Sequence, residues 1–173
     1  MQIKAPLEGI DSKDFASLST LQELDLRGIQ MTTLPEDLLS HFSDLRVFGL
    51  HESAVTFLPE GLLLGLPNLK FVSFYDTLIS TLPEHLFTRA QWGIRLTHNQ
   101  IPRLPDDEFD AIRNNRAARI TLDRDLYHAQ GEALQKRYPK LFIDSYWILT
   151  LTRQNLPVDA LTSLRIFGSF QVK

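Results

Sequence analysis

The sequence contains no cysteine among its 173 residues. Without a thiol, the chain can form neither a disulfide framework nor a cysteine-ligated metal site. It also offers no thiol nucleophile and no thioester carrier. Disulfide-stapled secreted modules and thiol enzymes are therefore excluded as classes for this chain.

An excess of basic residues is also missing. Lysine and arginine total 18 against 21 aspartate and glutamate residues, which gives a formal net charge of −3 and a pI of about 5.9. Domains that bind nucleic acid normally carry a basic surplus, so we expect no nucleic-acid partner. The arginine-rich stretch "RNNRAARITLDRD" at 113–125 contains two acids, has others close by in the sequence, and is interpreted as solvated charge.

Long hydrophobic runs are absent as well. A typical apolar stretch, "YWIL" at 146–149, is far too short to cross a bilayer, and the N-terminal residues show no apolar run of signal-peptide length. We therefore predict no membrane span and an intracellular location such as the bacterial cytoplasm.

What the sequence does contain is a recurring hexapeptide. It reads "LPEDLL" at 34–39, "LPEGLL" at 58–63, "LPEHLF" at 82–87 and "LPDDEF" at 104–109, so the leading leucines lie 24, 24 and 22 residues apart. Recurrence at near-constant spacing indicates a repeat architecture.

A short alternating segment precedes each hexapeptide: "LQELDL" at 21–26, "LRVFGL" at 45–50, "LKFVSF" at 69–74 and "QWGIRL" at 91–96. Alternation of period two predicts a strand with one buried face. The proline and acid that follow predict a short helix or 3-10 turn, with proline at the first helical position and the acid near the positive end of the helix. Four apolar residues should then point into the core, namely Leu38, Leu62, Leu86 and Phe109.

The combined register reads L-x-x-L-x-L-x-x-N-x-L followed by x-x-L-P, and it resembles the leucine-rich-repeat family. The best match is "IRLTHNQIPRLPDDEF" at 94–109, with Asn99 at the asparagine position. Weaker units begin near Ala117, Tyr138 and Leu161, so the resemblance covers roughly residues 15–167. The chain departs from the pattern at the other asparagine positions, which hold Ile29, Ser53, Thr77, Asp125 and Tyr146. We expect an interrupted polar ladder there.

The resemblance implies an α/β fold: a curved solenoid with about seven parallel strands on its concave face and short helices or 3-10 turns on its convex face. We predict a single domain over 1–173, with an N-terminal cap at 1–20, repeats at 21–167 and a C-terminal cap or tail at 168–173. In the first cap, Asp11 or Ser12 should begin a helix that covers the core with Phe15 and Leu18. A hairpin at 168–169 and a frayed tail both remain open.

The predicted partner-binding surface consists of the outward-facing strand residues of the concave face. Phe71 and Tyr75 lie near its centre, where exposed aromatic side chains commonly anchor a partner. The predicted contact residues are Asp25, Arg27, His51, Phe71, Ser73, Tyr75, Arg95, Thr97, Arg119, Thr121 and Asp123.

Residues that could carry catalysis are not brought together by their spacing in the sequence. Of the five histidines, only His51 and His98 are predicted on the concave face. Two repeats separate them by about 10 Å, which is too wide to share one metal ion. Serine, histidine and aspartate occur at no spacing that assembles a triad. We therefore predict no metal site, no cofactor and no enzymatic activity.

The resemblance implies a non-catalytic module that binds a protein partner. Small cysteine-free leucine-rich-repeat proteins resemble effectors that intracellular bacterial pathogens deliver into host cells, and they also resemble bacterial adaptors. Two alternatives remain: a structural or self-associating protein that pairs through a terminal strand near Phe167 and Phe170, and an enzyme with an unrecognised site. We predict a monomer, with an edge-mediated dimer as the alternative.

Overall fold

The computed structural model describes residues 1–4, 9–115 and 118–145. Within these ranges, seven strands form one parallel sheet whose order follows the chain. The strands are β1 (Gln2–Lys4), β2 (Glu23–Arg27), β3 (Val47–Ser53), β4 (Phe71–Thr77), β5 (Gly93–Thr97), β6 (Arg119–Leu122) and β7 (Phe142–Ser145). The architecture is the leucine-rich-repeat solenoid that the sequence predicts.

Strands β2 to β7 are those that the alternating segments predict, but β1 is an addition. It lies in the predicted N-terminal cap and pairs with β2, with Gln2 opposite Asp25. Its three residues are too few to show an alternating pattern, so the sequence gives no sign of it. The strand predicted near Leu161 and the cap or tail at 168–173 lie outside the described residues.

The register of β7 is a correction to the sequence prediction. The sequence pattern places Leu141 and Ile143 at the two inward strand positions, whereas the structure pairs Ile120 with Ile143 and Leu122 with Ser145. The predicted register is therefore wrong by two residues. A shift of two keeps every side chain on its predicted face, which explains why the alternation pattern cannot detect the error.

The core lies between the sheet and the return segments. Alternate strand residues point inward, and each is at most 1% exposed: Leu24, Leu26, Phe48, Leu50, Val72, Phe74, Ile94, Leu96, Ile120 and Leu122. From the return segments, Leu38, Leu62, Leu86 and Phe109 meet these side chains and are buried as predicted. The stacked repeats thus share one continuous apolar core, as a solenoid requires.

Short helices occur in the return segments other than the one after β2, which has turns and no helix. They are a 3-10 helix at Ser12–Leu18, a second at Glu60–Leu63, and α-helices α1 (Leu86–Arg89) and α2 (Glu108–Ile112). The first begins as predicted: Asp11 is its N-cap, and Asp14 completes a capping box. Phe15 is buried beneath it, and Leu18 packs against the core. This helix covers the N-terminal end of the core.

The proline of the recurring hexapeptide lies before the helix rather than in its first position. The carbonyl groups of Pro35, Pro59 and Pro105 accept hydrogen bonds from the N–H groups of Leu38, Leu62 and Glu108. In the second unit the helix begins only at Glu60, with Pro59 preceding it. The predicted helix start is therefore too early, by one residue in this unit and by three in the next two, where α1 begins at Leu86 and α2 at Glu108. The reason is that proline provides the acceptor of the first turn and not its first helical residue.

Acidic side chains of the return segments link neighbouring repeats. Glu60 Oε2 accepts the N–H of Glu84 at 2.8 Å. Both carboxylate oxygens of Glu108 accept N–H groups, that of His85 at 3.0 Å and that of Phe87 at 3.1 Å. Burial raises the pKa of Glu108 by more than these hydrogen bonds lower it. The sequence prediction assigned Glu60 to the helix dipole, but its carboxylate binds the backbone of an adjacent unit, as that of Glu108 does.

The fifth return, which follows β6, is a longer helical segment. The sequence predicts it from apolar residues at helical spacing, namely Leu126, Ala129, Ala133, Leu134 and Tyr138. The segment comprises α3 (Arg124–Leu126), a π-helical turn at Tyr127–Gly131 and α4 (Glu132–Arg137). Leu126, Leu134 and Tyr138 are buried from its inner side. Gly131, which weakens the prediction of one uniform helix, ends the π-helical turn.

Candidate functional site: the concave face

The concave face is the side of the sheet opposite the core, and its residues align in three rows across the strands. The first row contains Glu23, Val47, Phe71, Gly93 and Arg119, the second contains Asp25, Gly49, Ser73, Arg95 and Thr121, and the third contains Arg27, His51, Tyr75 and Thr97. These are the rows that the repeat register predicts. The sequence register aligns Phe142 with Thr121 and Asp144 with Asp123, whereas the structure pairs Phe142 with Arg119 and Asp144 with Thr121. Asp123, predicted in the third row, follows the end of β6 at Leu122.

The predicted contact residues divide into two groups by burial. Five are buried and present almost no surface to a partner: Asp25, His51, Ser73, Thr97 and Thr121. The other six are partly exposed: Arg27, Phe71, Tyr75, Arg95, Arg119 and Asp123. Alternation predicts the face on which a side chain lies but not how far its neighbours cover it. The sequence pattern therefore does not distinguish the buried group from the partly exposed group.

Asp25 is the centre of an ionic cluster on β2 and β3. Its Oδ2 lies 2.9 Å from Arg27 Nε, and its Oδ1 lies 2.8 Å from His51 Nδ1. Arg27 Nη1 also lies 3.4 Å from Glu52 Oε1. Burial alone raises the pKa of Asp25, but the hydrogen bonds and positive charge of His51 and Arg27 outweigh it and hold the pKa below its ordinary value.

Serine, histidine and aspartate come together here, although the sequence spacing gave no sign of it. His51 Nε2 lies 3.0 Å from Ser73 Oγ, while its Nδ1 faces Asp25. The prediction that no such arrangement forms is therefore wrong in geometry. The three residues lie on three adjacent strands, and the sheet sets the distances between them. The spacing of residues along the sequence cannot reveal such contacts.

Aromatic side chains form the middle of the concave face. The ring of Tyr75 lies edge-on to two imidazoles, with centroid distances of 6.2 Å to His51 and 5.1 Å to His98. The guanidinium carbon of Arg95 lies 5.3 Å from the Tyr75 ring centroid, within the range of a cation–π contact. Phe71, in the first row of the same strand, is also partly exposed. The predicted aromatic centre is thus present, with two histidines around it.

Asp123 has a structural role at the edge of this face. Its Oδ1 accepts the N–H of His98 at 2.7 Å, and its Oδ2 lies 3.5 Å from the N–H of Asn99. Asp125, which the repeat pattern places at the asparagine position, is exposed on α3 instead. The backbone bonding expected of Asp125 is therefore provided by Asp123, because the chain turns into a helix directly after β6.

In residues 1–4, 9–115 and 118–145, no group of three or more histidine or acidic side chains is arranged to hold a metal ion. Every helix of the described ranges is too short or too polar to cross a membrane.

Comparisons with known proteins identify the fold. No protein-family model matches the sequence, and no curated protein matches it significantly. The structure is similar to the leucine-rich repeat domain of APL1B, with a TM-score of 0.57 and 19% identity, over 68% of this chain and 34% of that one. It therefore spans about a third of that domain's chain. A weaker likeness, with a TM-score of 0.45 and 19% identity, is to the Drosophila melanogaster SNF/U2A' complex, over 70% of this chain and 77% of that one.

At these identities the likeness shows the fold alone. The protein has the leucine-rich-repeat fold, in which consecutive strands form one parallel sheet and the returns cover its other face.

Proposed function

We propose that the protein is a non-catalytic interaction module that binds a segment of a protein partner on its concave face. The observation that supports this most directly is the group of partly exposed side chains in the middle of the sheet, where Phe71 and Tyr75 lie on β4 and Arg95 stacks on Tyr75. Tyrosine and arginine are enriched among residues that dominate binding energy.

The contacts that these side chains already make reduce the conformational entropy that they would lose on binding a partner. Tyr75 is held between His51 and His98, and Arg27 is held by Asp25 and Glu52. Side chains that are already fixed lose less conformational entropy when a partner docks. The proposed contact set is accordingly the partly exposed group, and the buried group supports it.

The Ser73 hydroxyl group does not favour an enzyme. Ser73 is 0% exposed and His51 only 2% exposed, so a substrate carbonyl has no access to the hydroxyl oxygen. A serine nucleophile needs that access as well as the hydrogen bond to histidine. Delivery into a host cell, which the family resemblance implies, stays a prediction, as does the monomeric state.

The test compares a double variant with a matched control. The full chain is immobilised, and proteins retained from a bacterial or host-cell lysate are identified by mass spectrometry. We expect Phe71→Ala/Tyr75→Ala to lose specific retention, with a thermal melt close to that of the wild type because both side chains are partly exposed. The control, Phe57→Ala/Leu64→Ala, removes two apolar side chains that are 46% and 58% exposed outside the sheet.

Retention of the same protein by the Phe71/Tyr75 variant would contradict the proposed surface. Equal loss in both double variants would show that retention reflects general hydrophobic contact. A cooperative melt at much lower temperature in the Phe71/Tyr75 variant would show that these residues belong to the core.

A further inference from the structure

A chain of close polar contacts crosses three adjacent strands beneath the concave face. It runs from Asp25 on β2 through His51 on β3 to Ser73 on β4, with distances of 2.8 Å and 3.0 Å at the two ring nitrogens. All three residues are at most 2% exposed. We call this arrangement the polar relay.

The register explains how one imidazole reaches both partners. Asp25, Gly49 and Ser73 are direct neighbours in the second row. Asp25 and Ser73 are therefore two strand separations apart, about 10 Å. Gly49 has no side chain to fill the space between them, so the ring of His51, two residues further along β3, can lie across that gap.

Each ring nitrogen of His51 has a polar atom close by: Nδ1 lies 2.8 Å from Asp25 Oδ1, although its N–H direction departs from that oxygen, and Nε2 lies 3.0 Å from Ser73 Oγ. A neutral ring with its proton on Nδ1 places that proton on the Asp25 side and accepts from the Ser73 hydroxyl group. When the ring is charged, it donates at both positions, and the hydroxyl rotates to accept. Serine serves both states because a hydroxyl group both donates and accepts.

The charges around the ring favour this tolerance. Asp25 from β2 and Tyr75 from β4 lie against His51, and Arg27 belongs to the same cluster through its ion pairs with Asp25 and Glu52. The Asp25 carboxylate compensates a charge on the ring directly, and Glu52 compensates Arg27. An added proton therefore enters a cluster that already contains two carboxylates.

We propose that the polar relay is a proton-tolerant lock: it joins β2, β3 and β4 through the space left by Gly49, and it holds them together whether or not His51 is protonated. The relay thus preserves the spacing of these repeats in either state. This role does not depend on whether the concave face binds a partner.

The first test is a spectroscopic assignment of the ring nitrogens in the full-length wild-type protein. Long-range ¹H–¹⁵N spectra at pH 8 should show His51 as the Nδ1-protonated tautomer, with an Nδ1–H protected from exchange with solvent. An Nε2-protonated ring would overturn the proposal, because Asp25 would then face a nitrogen without a proton.

The second test uses Ser73→Ala, with Ser40→Ala as an exposed control. Without the hydroxyl group, Nε2 of a neutral His51 ring has no donor from which to accept, and the Nε2–H of a charged ring has no acceptor. The unsatisfied charged donor costs more free energy than the unsatisfied neutral acceptor. The urea midpoint of Ser73→Ala should therefore fall further below wild type at pH 5.5 than at pH 8, while Ser40→Ala follows wild type at both. An equal loss at the two pH values would overturn the lock.

The third test addresses the glycine. Gly49→Ala should abolish the protected Nδ1–H signal of His51, because it adds a methyl group to the row between Asp25 and Ser73, which the ring has to bridge. Gly65→Ala is the matched control, since a Cβ built at Gly65 meets nothing within 4 Å, and it should retain the signal. A protected signal that persists in Gly49→Ala would overturn the role assigned to the gap.

Discussion

The side-chain amide of Asn99 donates from Nδ2 to the backbone carbonyl of Phe74 over 3.0 Å, which ties the turn after β5 to the strand of the preceding repeat. The other end of the same amide accepts from Thr77 Oγ1 at 2.6 Å. One asparagine thus satisfies a strand carbonyl and orders the neighbouring turn.

Asn99→Ala should destabilise the protein by about 1–3 kcal/mol, because the carbonyl of the buried Phe74 loses its side-chain donor. The measurement is the free energy of unfolding from urea titration. Asn68→Ala is the comparison, since its amide donates to the Ser43 carbonyl at an exposed site. A change within about 0.5 kcal/mol is expected there. Similar losses in the two variants would contradict the role assigned to Asn99.

Asp25 should make stability depend on pH at the acid end. Its pKa in the folded protein lies below the ordinary value of 3.8. Between these two values the unfolded chain binds more protons than the native protein. The stabilisation is therefore present above about pH 4 and is lost as the pH falls through the lowered pKa.

Asp25→Asn removes this term, so its stability should depend less on pH below 4 than that of the wild type. The variant should also be less stable than the wild type at pH 7, where Arg27 and His51 lose the carboxylate. Chemical unfolding at a series of pH values measures both effects. Asp44→Asn, at an exposed position, should retain the wild-type pH profile, and an Asp25→Asn profile parallel to the wild type would refute the assignment.

Gly93→Ala should disturb the pairing of β5 with β6. A Cβ at Gly93 would lie 2.5 Å from the backbone carbonyl oxygen of Arg119, its direct neighbour in the register. Backbone in the middle of a sheet cannot move aside as a flexible side chain does. We therefore expect a loss of about 1–3 kcal/mol, as for other overpacked sites.

The control for this substitution is Gly9→Ala, where a Cβ meets nothing within 4 Å. Thermal unfolding of both variants, followed by circular dichroism, measures the difference. If Gly93→Ala melts with the wild type, the sheet accommodates a methyl group at this position and the close approach of the strands is not required.

The fold of residues 21–110 is predictable because each repeat carries its own local signals. The strand leucines alternate with period two, and the proline marks the turn that follows. Each unit repeats this pattern, so a position that is ambiguous in one unit can be assigned from the others. Where the period becomes irregular, as between Ile120 and Ile143, the predicted register is wrong by two residues.

The sequence predicts which residues form the rows of the candidate site but not how deeply each side chain is buried. Phe71 and Tyr75 are found on the predicted face at its centre, while Ser73 between them is buried. Burial depends on side chains from neighbouring strands, such as the His51 ring that lies against both Ser73 and Tyr75. These neighbours are more than twenty residues away in the sequence, so their contacts cannot be derived from a local pattern.

The sequence by itself determined the repeat, the parallel order of β2 to β6, and the face on which each of their side chains lies. These properties follow from local periodicity and from the stacking that an open apolar face requires. Only the tertiary structure decided that Asp25, His51 and Ser73 meet. Their contact depends on the strand separation, on the register and on the missing side chain of Gly49, which act together only once the repeats have stacked.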